Sequence, residues 1–287
     1  MQVIQTRKEL CNVLGAFWQK TSHTIGLVPT MGYLHAGHMS LVERSKSENA
    51  CTVMSIFVNP TQFGPSEDLD SYPRDLQRDL DMARDAGVDY VFAPQAQDIY
   101  PPGHCTWVEV QSPMAAVLCG ASRPSHFRGV TTVVTKLFHL IQPQRAYFGE
   151  KDYQQLALIR QMTRDLNMPV EIVACPTLRE EDGLAMSSRN TYLSPEERSA
   201  ATMLFQALTL AQEILNQGQR DASRIRQALR EHFAASPLCT IDYVEIVDPV
   251  TLAHLETITE EARVILAVHI GRTRLIDNAS ITLKAKE

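Results

Sequence analysis

The chain has 287 residues with 27 basic and 33 acidic side chains, a formal net charge of −6. This length can bury a sizeable core in one large or two modest domains, and 44 % hydrophobic with 21 % charged residues is typical of a globular protein. The negative charge argues against a nucleic-acid partner such as tRNA, which requires a basic surface.

Cysteine usage and the N-terminal segment favour a cytoplasmic protein. The six cysteines form neither a C-x-x-C pair nor a Cys/His zinc spacing, so we expect reduced thiols. Arg7, Lys8 and Glu9 precede only a brief apolar stretch, which does not fit a secretory signal. No run approaches the ~18 apolar residues of a membrane span, so we expect no membrane partner.

Apolar runs and helical patterns alternate along the first 176 residues. In chain order we predict a helix over 6–19, a strand over 25–28 that Pro29 ends, a helix over 39–49, a strand over 51–58, a helix over about 72–86, a strand over 88–92, a loop over 94–103, a cationic loop over 119–129, a helix over 131–141, a strand over 145–148, a helix over 156–166 and a strand over 171–175. This βαβα alternation predicts a parallel sheet with helices on both faces.

The composition changes beyond Pro176. Residues 179–190 are polar and contain one glycine, which is typical of a mobile loop. Ser194 is then a capping residue for a helix from Pro195 to about 216. A second helix over about 221–235 and strands over 241–247 and 263–270 follow, so residues 177–287 are predicted to form a smaller α+β domain.

The turn after the first long strand carries the strongest chemical signal. A strand, a glycine-containing turn and a helix start follow one another here, which predicts free backbone N–H groups and a positive dipole end facing an anion. His35 and His38 can lie on one side of the first helical turn, and Gly37 between them leaves room for a nucleotide. The H-x-G-H pattern is typical of nucleotidyltransferases and of synthetases that activate a carboxylate with ATP.

Two further predicted strands end in polar side chains. Asn59 and Gln62 follow the second long strand and can bind a hydroxyl or carboxylate without adding charge. Lys151 follows a third strand as a candidate phosphate ligand, with Gln155 as a candidate amide donor. Each segment alone could be an ordinary turn or a solvated helix start, and their recurrence at strand ends favours a site.

A second signature lies about 150 residues downstream of H-x-G-H. Met186-Ser187-Ser188-Arg189 has the character of the K-M-S-K-S motif, in which a cation and hydroxyl groups close over the triphosphate of ATP. Arg189 could bind phosphate oxygens while the two serines donate to them. Attack of a carboxylate on the α-phosphorus leaves pyrophosphate, and preorganised donors stabilise the charge on its oxygens.

Taken together, these segments resemble the pantoate–β-alanine ligase family along essentially the whole chain. The matching segments are Pro29–Gly32 with His35–His38, Phe57–Phe63, Tyr72–Arg74, Arg123–Pro124, His126–Val130, Phe148–Gln155, Met186–Asn190 and Leu275–Asn278. The resemblance implies a Rossmann-like parallel-sheet catalytic domain over 1–176 that binds ATP and pantoate, and a C-terminal lid domain over 177–287. It also implies Mg²⁺, a cytoplasmic homodimer and synthesis of pantothenate through an enzyme-bound pantoyl adenylate.

The family's site residues carry over position by position. Its ATP contacts fall on Met31, Gly32, Tyr33, Leu34, His35, Ala36, Gly37, His38, Gly149, Glu150, Lys151, Asp152, Leu178, Met186, Ser187, Ser188 and Arg189. Its pantoate contacts fall on Gln62 and Gln155, with Gln62 also near β-alanine, and Asn59 and Arg123 lie at associated positions. His38 is its assigned proton donor, and we expect His35, His38, Lys151 and Arg189 to carry the chemistry, with His38 and Lys151 stabilising the leaving pyrophosphate.

Some positions depart from the family pattern, and two other functions stay open. Tyr33 replaces a smaller residue, Cys119 stands where glutamate is usual, and Arg78 replaces an acidic residue before Asp79. No metal ligand is therefore assigned, since phosphates and water often supply most Mg²⁺ ligands. The alternatives are a nucleotidyltransferase that adenylylates a phosphate-bearing substrate and a non-catalytic nucleotide-binding regulator.

Overall fold

The structure, a computed structural model, describes residues 1–18, 24–65 and 67–283. The chain forms two compact units. The first unit contains residues 1–150 and 155–176, and the second contains residues 151–154 together with the chain from residue 177 onward. A four-residue segment that precedes residue 176 in the chain is therefore part of the second unit.

A six-stranded sheet, parallel throughout, forms the first unit. Its strands are β1 (Gln2–Ile4), β2 (Ile25–Thr30), β3 (Cys51–Ile56), β4 (Tyr90–Phe92), β5 (Arg145–Gly149) and β6 (Glu171–Cys175). They lie in the order β1-β4-β3-β2-β5-β6, so β2 lies between β3 and β5. The predicted Rossmann-like parallel sheet is confirmed.

Helices connect these strands and cover the sheet. They are α1 (Arg7–Trp18), α2 (Ala36–Glu48), α3 (Leu76–Asp85), α4 (Ala96–Ile99), α5 (Pro113–Ala116), α6 (Cys119–Ser122), α7 (His126–Ile141) and α8 (Tyr153–Asp165). Alternate residues of the central strands lie in two apolar layers: Leu27 and Val53 pack in one layer, and Val28 and Met54 in the other. This alternation explains why the central strands are apolar on both faces.

The predicted helix over about 72–86 and loop over 119–129 differ from the structure. Helix α3 begins only at Leu76, because the Asp75 side chain caps it by accepting from the Arg78 N–H. Most of the predicted loop is helical, as α6 and the first turn of α7. Pro124 lies between the two helices, whereas Gly120 and Gly129 lie within α6 and α7.

The prediction that Pro29 ends strand pairing is wrong. Strand β2 continues to Thr30, with Pro29 opposite Ser55 of β3. The carbonyl groups of Thr24 and Thr30 accept from Cys51 of β3 and from Phe57 directly after β3, whereas the Ile25 carbonyl accepts from Gln144 on the side of β5. Pro29 has the same orientation as Ile25, so a backbone N–H at this position would point toward β5. Pairing with β5 has already ended at Leu27, so the missing N–H of Pro29 removes no hydrogen bond from the sheet.

The second unit is the predicted α+β fold. Its antiparallel sheet has the strand order β7-β8-β9, with β7 (Cys239–Val247), β8 (Glu261–Ile270) and β9 (Thr273–Thr282). Its helices are α9 (Pro195–Ala201), α10 (Met203–Asn216) and α11 (Ala222–Ala234). The predicted single helix over 195–216 is interrupted at Thr202, whose hydroxyl donates to the Ser199 carbonyl at 2.8 Å. Within the described ranges, no helix is long and apolar enough to cross a membrane.

Candidate active site

Three neighbouring strands of the parallel sheet end at one edge, where predicted site residues follow them. The turn 31–38 follows β2, the segment 59–62 follows β3, and β5 ends at Gly149. Gln155 is half-buried in the first turn of α8. The sheet order therefore places the ends of β3, β2 and β5 side by side, where open α/β sheets bind ligands.

A buried carboxylate shapes the turn after β2. The two oxygens of Asp79 accept from the N–H groups of Tyr33 and Leu34, each at 2.7 Å. Gly32 and Tyr33 have positive φ angles of 85° and 50°, and a Cβ atom on Gly32 would lie 2.9 Å from an Asp79 oxygen. Asp79 thus acts as a template for a backbone conformation that the adjoining glycine permits.

Arg78 completes this support from the same helix. Its guanidinium lies 5.0 Å from the centre of the Tyr33 ring and donates to the Leu34 carbonyl at 2.9 Å. Two of the three departures from the family pattern, Tyr33 and Arg78, are therefore in contact with each other. Burial raises the pKa of Asp79 above its ordinary value, although the N–H groups of Leu34 and Tyr33 act in the opposite direction.

The two histidines cap helix α2 reciprocally. His35 is the N-cap residue, and its Nδ1 accepts from the Gly37 N–H at 3.2 Å. His38 Nδ1 accepts from the His35 N–H at 3.3 Å, and the two rings lie 4.0 Å apart. A neutral imidazole whose Nδ1 accepts a hydrogen bond carries its proton on Nε2. Both side chains are therefore oriented as Nε2–H donors.

The prediction of free backbone N–H groups at this turn is wrong. Seven of these groups between residues 32 and 39 donate within the protein: Gly32 to Thr30 Oγ1, Tyr33 and Leu34 to Asp79, His35 to His38 Nδ1, Gly37 to His35 Nδ1, and His38 and Met39 to the His35 carbonyl. The sequence pattern correctly located the turn but not the donors.

The amide of Gln62 is held in one orientation by Asn59. The side-chain nitrogen of Asn59 donates to Gln62 Oε1 at 3.0 Å and to the Gly129 carbonyl at 3.1 Å. Its side-chain oxygen accepts from the N–H and hydroxyl of Thr61. These bonds occupy both N–H donors of the Asn59 amide, and Gln62 Nε2 is directed toward Met31 Sδ at 3.1 Å. Asn59 thus positions Gln62, which presents an amide donor.

Arg123 and His126 hold the backbone carbonyl of Gln62. The His126 ring donates from Nδ1 to this carbonyl at 2.8 Å, and Arg123 donates to the same oxygen at 3.3 Å. Because a guanidinium can only donate, His126 Nε2 accepts from Arg123 at 3.1 Å. Arg123 also forms an ion pair with Glu67. Burial acts to raise the pKa of Glu67, but the hydrogen bond and charge of Arg123 outweigh it and lower the pKa.

A glycine in α7 allows Asn59, Gln62, Arg123 and His126 to come together. A Cβ atom on Gly129 would lie 2.4 Å from the Thr61 carbonyl oxygen, so only glycine lets α7 approach the segment 59–62 this closely. Glu67 and His126 were not predicted as functional residues. His126 and Gly129 do belong to a segment that matches the family pattern, which was the available signal.

In the second unit, the segment over 179–190 that we predict to be a mobile loop contains a hairpin. Arg179 pairs with Ala185, and the Met186 N–H donates to the Leu178 carbonyl at 3.0 Å. The Ser187 hydroxyl then caps a 3₁₀ helix over Ser188–Tyr192 by accepting from the Arg189 N–H. Ser188 is buried and Arg189 half-buried. Hydrogen bonds therefore define the conformation of the M-S-S-R segment.

Ion pairs, one of them to a buried carboxylate, support this hairpin. Arg179 forms two hydrogen bonds to the buried Asp277 carboxylate, at 2.6 and 2.9 Å. Arg198 of α9 binds both Glu180 and Asp182. These arginines connect the hairpin to the sheet and the first helix of the same unit.

Gly183→Ala is expected to destabilise the second unit. Its φ is +90°, which costs an L-residue about 1–2 kcal/mol, and the new Cβ would lie 2.0 Å from a ring carbon of Phe205, adding about 1–3 kcal/mol. Gly218→Ala is the matched control, because Gly218 has a similar φ of +94° with nothing within 4 Å of its Cβ position. Chemical denaturation should show a larger loss of unfolding free energy for Gly183→Ala than for Gly218→Ala. Equal losses would mean that Phe205 does not restrict this turn.

The parallel sheet and the histidine-capped turn at its edge define a Rossmann-like, nucleotide-binding enzyme. The family model for pantoate-beta-alanine ligase matches residues 2–280. The chain therefore belongs to the pantoate–β-alanine ligase family, whose reaction is the ATP-dependent condensation of pantoate with β-alanine.

Relatives and solved structures agree with this assignment. The chain is 54 % identical over 281 residues to a pantothenate synthetase of Acetivibrio thermocellus, covering 98 % of the chain and 99 % of the relative. It resembles the crystal structure of pantothenate synthetase from Thermus thermophilus with a TM-score of 0.92 and 50 % identity, over 97 % and 99 % of the two chains. A ligase from Francisella tularensis, complexed with "Beta-gamma ATP" and β-alanine, gives a TM-score of 0.79 and 35 % identity over 97 % of both chains.

Proposed function

We propose that this chain makes pantothenate in two steps. A carboxylate oxygen of pantoate attacks the α-phosphorus of ATP, forming pantoyl adenylate as the bond to pyrophosphate breaks. The amine of β-alanine then attacks the acyl carbon, loses a proton, and displaces AMP. The observation that carries this proposal is the pair of Nε2–H donors on His35 and His38, held in place by the cap of α2.

The histidine pair would act on the phosphates. Donors fixed before the reaction stabilise charge as it builds on the leaving pyrophosphate. Because both Nδ1 atoms accept from backbone N–H groups, adding a proton there would break the cap. We therefore expect His35 and His38 to act as neutral hydrogen-bond donors, and His38 to be the closer to the reacting phosphate.

Neutral amides would bind pantoate. Gln62 would donate from Nε2, whose orientation Asn59 determines, and Gln155 would provide a second amide. Gln62 would also lie near β-alanine. Arg123 supports this arrangement indirectly, through its contact with the Gln62 carbonyl. Amides orient a small hydroxy acid without repelling its carboxylate.

The remaining ATP contacts are those implied by the family. On the first unit they are Met31 to His38, Gly149 and Glu150, and on the second they are Lys151, Asp152, Leu178, Met186, Ser187, Ser188 and Arg189. In this proposal, the catalytic domain over 1–176 binds ATP and pantoate, and residues 177–287 act as a lid. A closed lid would protect the acyl adenylate from water.

Magnesium, a dimer and a cytoplasmic location complete the proposal. Both oxygens of Asp79 already accept backbone N–H groups, and in the described ranges no three His, Cys, Asp or Glu side chains are grouped to hold a metal. Mg²⁺ would therefore arrive on the triphosphate, with phosphate and water as its main ligands. The cytoplasmic location rests on the cysteine pattern of the sequence, which has no C-x-x-C pair and no Cys/His zinc spacing. The homodimer rests on the family resemblance.

Two assays test this function. Pantoate should be needed for exchange of labelled pyrophosphate into ATP without β-alanine, and AMP release should require both pantoate and β-alanine. A nucleotidyltransferase would instead release pyrophosphate with a phosphate-bearing substrate, and a non-catalytic regulator would bind ATP without exchange. Either of those results would contradict the proposal.

A further inference from the structure

Lys151 is joined to the second unit by a buried amide. Asn278 of β9 is 3 % exposed, and its Nδ2 donates to the Lys151 backbone carbonyl at 2.8 Å. The side-chain oxygen of Asn278 accepts from Nε of Arg263 at 2.8 Å. Because Arg263 can only donate, the side-chain oxygen of Asn278 must face Arg263. The side-chain nitrogen of Asn278 therefore faces the Lys151 carbonyl.

The residues after Lys151 are held to the same sheet. The Arg263 guanidinium lies 4.0 Å from the centre of the Tyr153 ring, and the Tyr153 hydroxyl donates to the Pro249 carbonyl at 2.9 Å. Arg263 is 7 % exposed, so this stacking is shielded from solvent. Two side chains on neighbouring strands therefore hold a four-residue segment that the chain enters directly after β5.

We propose that Asn278 is a positioning residue for Lys151 and that Arg263 orients Asn278 for this task. Lys151 belongs to the same compact unit as Ser187 and Arg189, although it follows a strand of the parallel sheet. Asn278 would hold the lysine backbone in that unit. The inference rests on the proposed role of Lys151 at the ATP phosphates. Asn278 itself touches no reacting group in this scheme, and acts only through the lysine backbone.

Asn278→Asp removes the donor and retains the acceptor for Arg263. Its second oxygen would face the Lys151 carbonyl and repel it. Since a displacement of about 1 Å can lower a rate by about 10²-fold, we expect pantoate-dependent exchange to fall by about 10–10²-fold. Asn278→Ala, which adds no charge, should lower it in the same direction. Ser280→Ala is the matched control, because Ser280 accepts from Arg263 at 3.1 Å without contacting Lys151.

A double-mutant cycle separates positioning from general damage. If Asn278 acts through Lys151, Asn278→Asp should have little further effect on exchange in a Lys151→Ala background. An equal fold-loss in both backgrounds, or wild-type exchange by both Asn278 variants, would overturn the inference. Melting temperatures of all variants should stay above the assay temperature, and hydrogen exchange should be faster at residues 151–154 in Asn278→Asp than in Ser280→Ala.

The same set of proteins distinguishes failure of the positioning role of Asn278 from failure of the role proposed for Lys151 at the ATP phosphates. Wild-type exchange by Lys151→Ala would remove this lysine from the chemistry and overturn the catalytic consequence drawn for Asn278. A defective Lys151→Ala together with fully active Asn278 variants would instead leave the function intact and overturn the positioning role. Unchanged hydrogen exchange at residues 151–154 in Asn278→Asp would also contradict the anchor.

Discussion

Replacing His38 with asparagine is expected to lower pantoate-dependent ATP–pyrophosphate exchange by about 10²–10³, the usual cost of losing one preorganised donor. The asparagine oxygen can accept from the His35 N–H as His38 Nδ1 does, so the cap of α2 is retained. The side chain is too short to reproduce the Nε2–H donor. The exchange rate reports the loss of the donor and the melting temperature reports the state of the helix cap, so measuring both on the same preparation separates these two effects.

His38→Ala is the informative companion variant. It removes the donor and the cap together, so exchange should fall as in His38→Asn, with an additional loss of about 0.5–2 kcal/mol in stability. His38→Gln, whose amide nitrogen can extend as far as Nε2, should recover part of the activity. Exchange near the wild-type rate in His38→Asn would mean that the imidazole serves the helix cap only.

Replacing Asp79 with alanine is expected to cause the largest loss of stability among these variants. The Tyr33 and Leu34 N–H groups would lose their acceptors, and each unsatisfied buried group costs about 1–3 kcal/mol. The turn that holds His35 would also lose its template, so exchange should fall with stability. Asp75→Ala removes only the cap of α3, and should cost about 1 kcal/mol with exchange unchanged. Chemical denaturation measures the stability of the two variants, and the exchange assay measures their activity.

Titration of Asp79 gives this prediction a second signature. Burial raises its pKa in the folded protein above the value in the unfolded chain. The stability that this group contributes is therefore fully present below its unfolded pKa and decreases as the pH rises through the folded pKa. The difference in unfolding free energy between wild type and Asp79→Ala should thus be larger near the unfolded pKa than at neutral pH. A difference that grows toward neutral pH would contradict the raised pKa.

The parallel sheet could be predicted because its signal is local. Central strands covered on both faces must be apolar throughout, and that pattern located β2, β3 and β5 to within a few residues. The H-x-G-H turn was also recognisable, since its residues are adjacent in the chain. What could not be predicted was the acceptor of its N–H groups: Asp79 lies on another helix, and no short-range pattern connects it to Tyr33.

Strand β9 was missed for a related reason. It contains the polar pair Asp277 and Asn278, which are both buried and interrupt the alternation that identifies a strand. Arg179, the partner of Asp277, lies 98 residues away in the sequence, and Arg263, the partner of Asn278, lies on the neighbouring strand β8. Buried polar residues acquire their meaning only from such partners, so the strand and the anchor of Lys151 required the folded structure.

The discontinuous second unit limits how the enzyme can be dissected. A fragment cut at residue 177 would omit residues 151–154 and leave Arg263 without the Tyr153 ring. The buried Asn278 donor would also lose the Lys151 carbonyl. The sequence of each unit is therefore interrupted by residues of the other, and neither unit can be produced as one contiguous fragment.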